Sequence, residues 1–385
     1  MSLTGVPLLI LVSLLAVGLP VGAVVLWRYR RLRVLRTAAM VVVGQLMITL
    51  ALGLVVNRSQ QFFTSWSDLF GTNKLPALPT AAPGVGTAKG GTAAPGGTSA
   101  THTLHGSVYA TRIDGPTTHI DLPADVYLPP QYNDPAYAHH KFPVLELLDG
   151  FPGNPARWLG ALHLQQVLDT EIAAGRMQPV VAVLPEQTTQ TWHDTECVNA
   201  VHGPQFGTYL TTDVRTVIGR QLRVQTSRTG WGDIGYSTGG FCANNLAMQA
   251  GYPFTAAVSL SGYFKPYRDR STGNLFHGNA LAQHTNDPLY QVTHAKHLPG
   301  LSFYAMCASP DPEPCLEGRA FAAAATGGPV QVERVELPTG GHNMTTWRSV
   351  EVPAFDWLAS HLTAGAGHTV VQARPPTHHA AGGTA

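Results

Sequence analysis

A serine flanked by glycines is the residue of this chain best placed to do chemistry. Ser237 lies in the run Gly-Tyr-Ser-Thr-Gly-Gly, residues 235–240, between an apolar-flanked segment, 230–234, and a segment, 241–248, that looks helical. A strand, a sharp turn with serine at its tip and a helix make up a nucleophile elbow. Side chains two residues to either side of such a serine would collide with the neighbouring strand and helix, so those positions need glycine. The pattern predicts that Ser237 is a nucleophile, although by itself it is also compatible with a glycine-rich turn.

A serine nucleophile needs a base that takes its proton, and the histidine with the right place in the chain is His342. Residues 330–337 alternate like a strand, and they run into Pro-Thr-Gly-Gly-His-Asn, 338–343. A histidine in a glycine-rich loop after the last strand is where the general base of an elbow serine belongs. Other histidines are set aside because they lie in a polar tail or in a predicted surface loop: His378, His379, His139 and His140.

The base in turn needs an acid that orients it, and the loop after the preceding predicted strand supplies one. Residues 301–306 read as a buried strand that runs into the proline-rich loop 307–314. An acid in the loop after a strand is the expected orienter, which makes Asp311 the first choice. Glu313 and Glu317 are the alternatives, because a carboxylate one turn further on can reach the same imidazole. An ordinary turn aspartate between two prolines would look the same.

An oxyanion hole needs two backbone N–H groups aimed at the developing negative charge. One normally belongs to the residue after the nucleophile, which is Thr238 here. The other comes from the loop after an earlier central strand. Residues 142–148 have a convincing strand pattern, and Asp-Gly-Phe-Pro-Gly, 149–153, follows it. Because Pro152 has no N–H, Phe151 is the expected second donor.

Three segments together resemble one family. Leu-Leu-Asp-Gly at 147–150, the elbow at 235–240, and Gly-Gly-His at 340–342 followed by Trp347 are similar to the esterase D and antigen 85 group of α/β-hydrolases. The resemblance covers roughly residues 105–362. The group includes carboxylesterases and secreted mycolyltransferases.

The resemblance implies roles for individual residues. The matching serine and histidine, Ser237 and His342, would be catalytic, and the loop after Asp-Gly would supply an oxyanion donor. The transferases of the group carry a glutamate at the start of a helix, which would favour Glu317 as the acid. The esterase pattern favours Asp311, so the acid stays open at this point.

The rest of the globular part alternates between strand and helix patterns. Such alternation predicts a mostly parallel sheet with helices on both faces, that is, an α/β class and here the α/β-hydrolase fold. Sites in such sheets lie at the carboxyl ends of the strands, where Ser237, Asp311, His342 and Phe151 would meet. The predicted strands are 106–113 and 118–127 as an antiparallel pair, then 144–148, 179–184 and 254–260, with helices near 162–174 and 210–222.

Two loops and several aromatic residues could shape a pocket beside the serine. The loops are 185–207 and 263–299. Aromatic residues more often pack in the core than touch substrate. The candidates to line an acyl or alcohol site are Trp158, Trp192, Phe264 and Phe151.

Composition and motifs argue against cofactors and nucleic acid. The 385 residues carry a net charge of +1, so there is no electrostatic footprint for nucleic acid. Neither the His-Glu-x-x-His spacing of zinc enzymes nor a phosphate-binding Gly-x-x-x-x-Gly-Lys loop is present in the sequence. We expect no metal and no cofactor. Asp194 and Glu196 could bind a metal or a polar substrate group, but a solvated loop is the favoured interpretation.

The first sixty residues differ in kind from the rest. Residues 6–27 and 37–56 are almost entirely apolar, and each is about 20 residues long, enough to cross a hydrocarbon core of about 30 Å as a helix. The loop between them, 28–36, carries five arginines, which indicates the cytoplasmic side, so both ends of this hairpin would face outward. A cleaved signal peptide is the rival interpretation, but it would need a basic segment before the apolar run, and nothing basic precedes Arg28.

These patterns divide the chain into four parts. Residues 1–60 are predicted to form a membrane anchor of two transmembrane helices, and 61–104 a linker rich in Gly, Ala, Pro and Thr. Residues 105–364 would be the α/β-hydrolase catalytic domain, and 365–385 a disordered tail. Everything after Val56 would then be extracytoplasmic.

All four cysteines lie in the predicted outward-facing domain. An even number in an oxidising compartment suggests disulfides, with three possible connectivities. We favour Cys307–Cys315, which would close a short loop around Asp311, and Cys197–Cys242, which would join a loop to the helix behind the elbow. Buried free thiols are the alternative.

Together the patterns predict a membrane-tethered, extracytoplasmic serine hydrolase that cleaves a small-molecule or lipid carboxylic ester through an acyl-enzyme. Two other functions stay open. The acyl group could pass to a lipid or sugar alcohol instead of water, as in the mycolyltransferases that the chain resembles. The domain could also be a non-catalytic part of the cell envelope with a hydrolase fold.

Overall fold

An eight-stranded, mostly parallel sheet carries the larger part of the chain. Its strands are β1 (Ser107–Asp114), β2 (Asp121–Leu128), β3 (Val144–Leu148), β4 (Val181–Pro185), β5 (Trp231–Tyr236), β6 (Ala256–Leu260), β7 (Leu301–Ala308) and β8 (Val330–Leu337). The strand order is β1-β2-β4-β3-β5-β6-β7-β8. β2 is antiparallel to both of its neighbours, and the other neighbouring pairs are parallel. This mixed sheet with flanking helices confirms the predicted α/β fold class.

Helices precede the sheet and fill the connections between its strands. They are α1 (Val6–Val25), α2 (Arg33–Gln60), α3 (Trp66–Leu69), α4 (Ala156–Gly160), α5 (Leu164–Ala173), α6 (Phe206–Thr208), α7 (Arg215–Gln221), α8 (Thr238–Ala247), α9 (Ala280–His284), α10 (Pro288–His294), α11 (Pro312–Ala325), α12 (Met344–Arg348) and α13 (Glu351–Ser360). A π-helical stretch, Tyr209–Val214, joins α6 to α7. The helix predicted near 210–222 therefore begins earlier, at Phe206.

The computed structural model describes two large parts of the chain and several shorter ones. The described residues are Leu3, 5–28, 32–60, 66–70, Leu78, 105–190 and 192–364. The predicted tail, 365–385, and most of the predicted linker, 61–104, lie outside them.

The central strands are buried on both faces, which is why they read as continuous apolar runs. Every residue of β3, β4, β5 and β6 is buried. Val144 and Leu148 of β3 share a core with α7, α8 and α11, whereas Leu145 and Leu147 share a core with α5, α12 and α13. The sheet is thus a middle layer between two helical layers, and its carboxyl edge is left to the loops.

The two apolar N-terminal segments are helices, α1 and α2. They pack against each other through Val12 and Leu54, and Gly44 of α2 lies close to the ring of Pro20 in α1. In the most apolar stretch of each helix, only 17 % of α1 and 11 % of α2 is buried against the rest of the chain. Most of their apolar surface is therefore exposed. By length and composition, both helices are able to cross a membrane.

Two disulfides tie loops to helices of the domain. Cys197, in the loop after β4, is bonded to Cys242 of α8, and Cys307 of β7 is bonded to Cys315 of α11. These are the two pairs that the sequence favours. The first holds its loop against the helix that follows the elbow serine, and the second closes the turn that contains Asp311.

Two carboxyl groups lie side by side in the middle of the sheet. Glu146 of β3 and Asp233 of β5 are register partners, both are fully buried, and neither carboxyl has a hydrogen-bond partner in the described part of the chain. Burial raises the pKa of Glu146 to about 8, with Arg215 opposing the shift. Burial, reinforced by Glu146, raises the pKa of Asp233 well above its usual range.

Raised carboxyl pKa values make the stability of this domain depend on pH. Burial also raises the pKa of Asp125 to about 6, of Glu186 to about 7 and of Glu351 to about 8. An acid with a raised pKa binds its proton more tightly in the folded chain than in the unfolded chain. The free energy of unfolding therefore falls as pH rises from the unfolded pKa, about 4, to the folded pKa.

We expect the full chain in detergent to unfold at a lower temperature at pH 8 than at pH 5. The difference should be about 4 °C or more, since 1 kcal/mol shifts the Tm of a domain of this size by about 2–4 °C. The Glu146→Gln variant should lose less stability over this range, because glutamine does not ionise. Differential scanning calorimetry at both pH values measures the effect. Glu333→Gln on the exposed side of β8 is the matched control, and a wild-type Tm that rises from pH 5 to pH 8 would contradict the prediction.

Candidate active site

Ser237 lies at the sharp turn between β5 and α8. Its backbone has φ 56° and ψ −127°, a conformation that residues with a side chain rarely adopt. The turn is held from two sides. The N–H of Ser237 donates to the carbonyl of Leu260 on β6 (2.9 Å), and its own carbonyl accepts the N–H of Gly240 (2.9 Å). Strand, strained serine and helix together have the geometry of a nucleophile elbow.

Close backbone packing explains the glycines around the serine. A Cβ on Gly235 would lie 2.0 Å from the carbonyl oxygen of Gly239, and a Cβ on Gly239 would lie 2.3 Å from the carbonyl oxygen of Leu148. A Cβ on Gly150 would lie 2.8 Å from the Cβ of Ser237. The ends of β3 and β5 and the start of α8 therefore meet in backbone contact, which brings the loop after β3 next to the serine.

One line of hydrogen bonds joins the three side chains predicted for catalysis. Nε2 of His342 lies 2.7 Å from Oγ of Ser237, and Nδ1 of His342 lies 2.7 Å from Oδ2 of Asp311. The side chain of His342 is 42 % exposed and that of Asp311 18 %. When Nδ1 carries a proton and donates a hydrogen bond to the carboxylate of Asp311, Nε2 is free of a proton and can accept that of the serine hydroxyl.

Asp311 lies where β7 turns into α11. It is the N-cap residue of that helix, but its side chain makes no capping hydrogen bond, which leaves the carboxylate for His342. The other two candidate acids are engaged elsewhere. Glu317 accepts a backbone N–H from the loop after β6 at 2.6 Å, and Glu313 accepts the hydroxyl of Tyr267. Of the three acids, the structure brings Asp311 to the imidazole.

A short helix positions the loop of the histidine. Asn343 caps α12 by accepting the N–H of Thr346 at 3.1 Å. The hydroxyl of Thr346 in turn accepts the N–H of Gly341 at 2.9 Å. Gly340 has φ +114°, a conformation that favours glycine and lets the chain turn out of β8. His342 is therefore fixed between anchored residues on both sides.

A column of aromatic rings supports the histidine. The ring of His342 meets Trp347 edge-on, with centroids 5.2 Å apart, and Trp347 stacks on Tyr236 at 4.7 Å. Tyr236 packs on Trp158 at 5.3 Å, and Trp158 also contacts Phe355 of α13. Trp158 is fully buried. It therefore belongs to the core, and the prediction that it lines the substrate site is wrong. Its effect on the site is to support the rings beneath the imidazole.

Phe264 and Trp192, two more of the aromatic candidates, differ in position. Phe264 is buried and stacks on Phe321 of α11 with centroids 4.5 Å apart, so it too is a core residue and not the substrate contact that the sequence suggested. Trp192 lies in the loop after β4 and is 76 % exposed. Of the four aromatic candidates, Trp192 is exposed and Phe151 is half-buried, so these two keep a surface that a ligand could reach.

Two backbone N–H groups beside the serine are candidates for an oxyanion hole. Thr238 is the first residue of α8, so its N–H has no partner inside the helix and lies at the positive end of the helix dipole. Phe151 directly follows Gly150, whose backbone lies against Ser237. Both predicted donors therefore come from segments that meet at the serine.

A buried acidic network lies behind Thr238. Its Oγ1 is 3.2 Å from Oδ2 of Asp194 and 3.3 Å from the hydroxyl of Tyr263. That hydroxyl is 2.7 Å from Oε1 of Glu196. Asp194 and Glu196 are 7 % and 1 % exposed, so the expectation that they lie in a solvated loop is wrong. The disulfide between this loop and α8 explains their burial, and the predicted pairing was the sequence signal that could have placed them here.

Burial disfavours the charged form of each titratable group in this network. Burial raises the pKa of Asp194. Burial, reinforced by the nearby Asp194, raises the pKa of Glu196 well above its usual range. The same causes, burial first and the neighbouring carboxyls second, raise the pKa of Tyr263. The shift is strongest where burial and a neighbouring carboxyl act together, as at Glu196.

A narrow cleft of about 20 Å³ opens between this network and the loop after β3. Its lining includes both predicted oxyanion donors, Phe151 and Thr238. The other lining residues are Asp149, Gly150, Gly153, Glu186, Gln187, Thr188, His193, Asp194, Thr195 and Cys197. A larger depression elsewhere contains none of the candidate site residues and is lined by His105, Leu159, His163, Gln165, Gln166, Asp169 and Thr170.

The described residues contain one group with the spacing of metal ligands. It consists of Cys307, Cys315 and Glu336. The two cysteines are joined in a disulfide, so they have no thiolate to offer to a metal.

Comparison with known proteins places the chain in a family. A family model described as "Putative esterase" matches residues 116–350, well over half of the chain. The chain belongs to this esterase family. An uncharacterized protein of Corynebacterium glutamicum is 25 % identical over 244 residues, which cover 61 % of this chain and 56 % of that protein. The chain thus spans just over half the length of this curated relative.

Several solved structures share the fold. A ferulic acid esterase is 20 % identical, with a TM-score of 0.58, and the match covers 67 % of this chain and 99 % of that one. An S-formylglutathione hydrolase from Agrobacterium tumefaciens is 17 % identical, with a TM-score of 0.57 and coverage of 68 % and 97 %. A fluorophosphonate-binding serine hydrolase of Staphylococcus aureus is 18 % identical, with a TM-score of 0.53 and coverage of 66 % and 99 %. With the family match, these likenesses in fold confirm the resemblance to esterase-type α/β-hydrolases.

Gly239→Ala tests the backbone contact at the elbow. The added methyl would lie 2.3 Å from the carbonyl oxygen of Leu148, so β3 and α8 must separate. We expect the free energy of unfolding, measured by chemical denaturation, to fall by about 1–3 kcal/mol. The matched control is Gly219→Ala in α7, where the nearest atom is 3.8 Å away; it should be neutral or stabilise the chain by up to about 1 kcal/mol. Equal stabilities of the two variants would refute the steric explanation.

Proposed function

We propose that this chain is a serine esterase in which Ser237, His342 and Asp311 act as nucleophile, base and orienting acid. The observation that carries the proposal is the unbroken line of two 2.7 Å contacts from Asp311 through His342 to Ser237. Its support is the strained elbow at Ser237, since a strained backbone at a concave edge is typical of functional sites. The esterase family of the chain fits the same chemistry.

The reaction follows from the positions of the protons. As Oγ of Ser237 attacks the ester carbonyl carbon, Nε2 of His342 takes the hydroxyl proton, and the carbonyl electrons move onto oxygen. When the tetrahedral intermediate collapses, the imidazolium returns the proton to the leaving alkoxide, and an acyl-serine remains. Water then attacks the acyl-serine while His342 takes its proton. The imidazolium returns that proton to Oγ of Ser237 as the carboxylic acid is released. Asp311 stabilises the imidazolium and holds Nδ1 in the protonated form.

The oxyanion of each tetrahedral intermediate would be bound by the N–H groups of Phe151 and Thr238. Each such donor contributes about 3 kcal/mol to lowering the barrier in comparable sites. The N-terminal position of Thr238 on α8 adds the positive end of the helix dipole. The exposed indole of Trp192 is our candidate for contact with the acyl or alcohol part of the ester.

Hydrolysis is favoured over acyl transfer by the exposure of the base. The side chain of His342 is 42 % exposed, so solvent water reaches the imidazole. A transferase must keep water away from its acyl-enzyme and bind an acceptor alcohol in its place. We therefore place hydrolysis of a small-molecule or lipid ester first.

We also propose that α1 and α2 anchor the esterase domain to a membrane, with the domain on the extracytoplasmic side. Both helices are long and apolar enough to span. Five arginines lie within residues 28–36, between the two apolar stretches, and favour the cytoplasmic side for that segment, which leaves the following domain outside. The two disulfides of the domain suit an oxidising compartment.

A fluorophosphonate probe tests the nucleophile. We expect the full chain to be labelled at Ser237, with the site identified by peptide mass spectrometry, and the Ser237→Ala variant to take no label. The same variant should lose about 10⁶-fold in kcat on a p-nitrophenyl ester. Absence of labelling in the intact protein would count against any serine mechanism and favour a non-catalytic domain.

The assignment of the acid is tested by three matched amide variants. Asp311→Asn should lower kcat by about 10⁴-fold, because an amide favours the wrong tautomer of the histidine. Glu313→Gln and Glu317→Gln are the controls and should keep most of the activity, because neither glutamate contacts His342 in the structure. A larger loss in either glutamine variant than in Asp311→Asn would reassign the acid.

The membrane topology is tested by reporter fusions. Alkaline phosphatase, which is active only outside the cytoplasm, should be active when fused after Gln60, the end of α2, and inactive when fused within the arginine loop, 28–36. A fluorescent protein that folds only in the cytoplasm should give the opposite pattern. Fluorescence of the fusion after Gln60 would refute the proposed orientation.

A further inference from the structure

We propose that Glu196 is a positioning residue for the oxyanion hole, because its proton completes a buried hydrogen-bond chain that ends on the candidate donor Thr238 and on Asp194. Loss of that proton would disrupt the chain and lower the activity of the site at alkaline pH. The inference rests on the proposed esterase function. It adds a role to residues that lie outside the line from Asp311 to Ser237.

The chain consists of three contacts in series. Oε1 of Glu196 lies 2.7 Å from the hydroxyl of Tyr263. This hydroxyl lies 3.3 Å from Oγ1 of Thr238, and Oγ1 lies 3.2 Å from Oδ2 of Asp194. Oδ1 of Asp194 also accepts the backbone N–H of Glu196 at 3.0 Å, so the two ends of the chain are linked through their own loop.

A continuous chain of three hydrogen bonds between these groups requires one protonated carboxyl. Three hydrogen bonds in series need three protons, but the hydroxyls of Tyr263 and Thr238 supply only one each. The third must come from a carboxyl at one end of the chain. Asp194 already accepts the N–H of Glu196 with its other oxygen, which favours its ionised form, so the proton belongs on Glu196. The carboxyl of Glu196 then donates to Tyr263, Tyr263 to Thr238, and Thr238 to Asp194.

The surroundings support a protonated Glu196. Its side chain is almost completely buried, and burial disfavours a charged carboxylate. The titratable groups that face the two acids are His193 on their own loop and Tyr267 and Asp269 on the loop after β6. His193 alone among these three can carry a positive charge, and it acts on Asp194.

The loop cannot move away to relieve an unfavourable charge. Glu196 and Cys197 have positive φ values of 48° and 51°, and Cys197 is bonded to Cys242 of α8. The acids are therefore held against the same helix whose first N–H, that of Thr238, would bind the oxyanion. A second negative charge at this place would oppose the negative charge of the oxyanion in the transition state, and it would act on kcat rather than on substrate binding.

The test is the pH dependence of kcat between pH 6 and pH 10, measured with the full chain in detergent on a p-nitrophenyl ester. For the wild type we expect kcat to fall by about tenfold at alkaline pH, less than the 10²–10³-fold of a deleted oxyanion donor. KM should stay constant across the fall. The rate of labelling by the fluorophosphonate should follow the same curve, because its phosphoryl oxygen occupies the same hole.

Glu196→Gln is the decisive variant, because its amide imitates the protonated carboxyl and cannot lose the proton. We expect this variant to keep the wild-type kcat at pH 6 and to lack the alkaline fall. Asp194→Asn should act in the opposite direction. Its amide can supply the third proton from the other end, which lets Glu196 ionise more easily and moves the fall to lower pH. Glu351→Gln, another buried carboxyl but on α13, is the matched control and should keep the wild-type profile.

The possible failures are distinguishable. A wild-type kcat that stays level to pH 10, or the same alkaline fall in the folded Glu196→Gln variant, would overturn the role of Glu196 while leaving the esterase intact. If Glu196→Gln does not fold, as judged by its thermal unfolding, the direction of the shift in Asp194→Asn decides instead, and an unchanged profile there overturns the inference. A wild type that takes no fluorophosphonate at any pH would sink the proposed function and this inference together.

Discussion

Backbone contact at the carboxyl edge of the sheet is the constraint on which the candidate site depends. The carbonyl oxygen of Leu148 at the end of β3 leaves no room for a Cβ on Gly239, and the carbonyl oxygen of Gly239 leaves none for a Cβ on Gly235. Because the segments touch without intervening side chains, they cannot shift independently. The strained backbone of Ser237 is held by this contact and by the hydrogen bond from its N–H to the carbonyl of Leu260 on β6. A rigid edge of this kind fixes the distance between a nucleophile and the loops that would complete its site.

Proton retention and hydrogen bonding, rather than ion pairing, accommodate four of the acids buried in this domain. Glu146, Asp233, Asp194 and Glu196 are buried, yet none of them is part of an ion pair among the described residues. An unpaired charge in the interior is costly, whereas a neutral carboxyl can still donate and accept hydrogen bonds. The consequence differs with place. In the sheet, the retained protons of Glu146 and Asp233 make the stability of the domain depend on pH. Behind Thr238, we propose that the retained proton of Glu196 makes the activity of the candidate site depend on pH.

Each disulfide holds a loop that carries an acid of the site region. Cys307–Cys315 spans the turn with Asp311, and Cys197–Cys242 fixes the loop with Asp194 and Glu196 to α8. Both loops lie at the open edge of the sheet, outside its ladder of paired strands. Covalent links to the elbow helix and to α11 therefore replace the restraint that strands provide elsewhere, in keeping with the extracytoplasmic location that we propose.

The sequence by itself determined the fold class, the elbow at Ser237 and the order of serine, acid and histidine along the chain. Strand and helix periods are local, and the glycines of a sharp turn leave a mark in the sequence, so these features need no knowledge of distant contacts. Likewise His342 could be chosen from its place after the last strand. The column of aromatic rings that supports it, from Trp347 through Tyr236 to Trp158, could not be predicted from the sequence. Ring contacts between β5, α4 and α12 depend on how those elements pack.

Tertiary structure alone decided which side chains face the site and which face the core. Trp158 and Phe264 lie in the core, while Asp194 and Glu196, which looked like residues of a solvated loop, are buried behind Thr238. Loops have no periodicity that reveals an inner and an outer face, so the burial of a loop residue is set by distant segments. The distance from an acid to the imidazole likewise depends on where α11 begins, and this is why only coordinates separate Asp311 from the two glutamates that follow it.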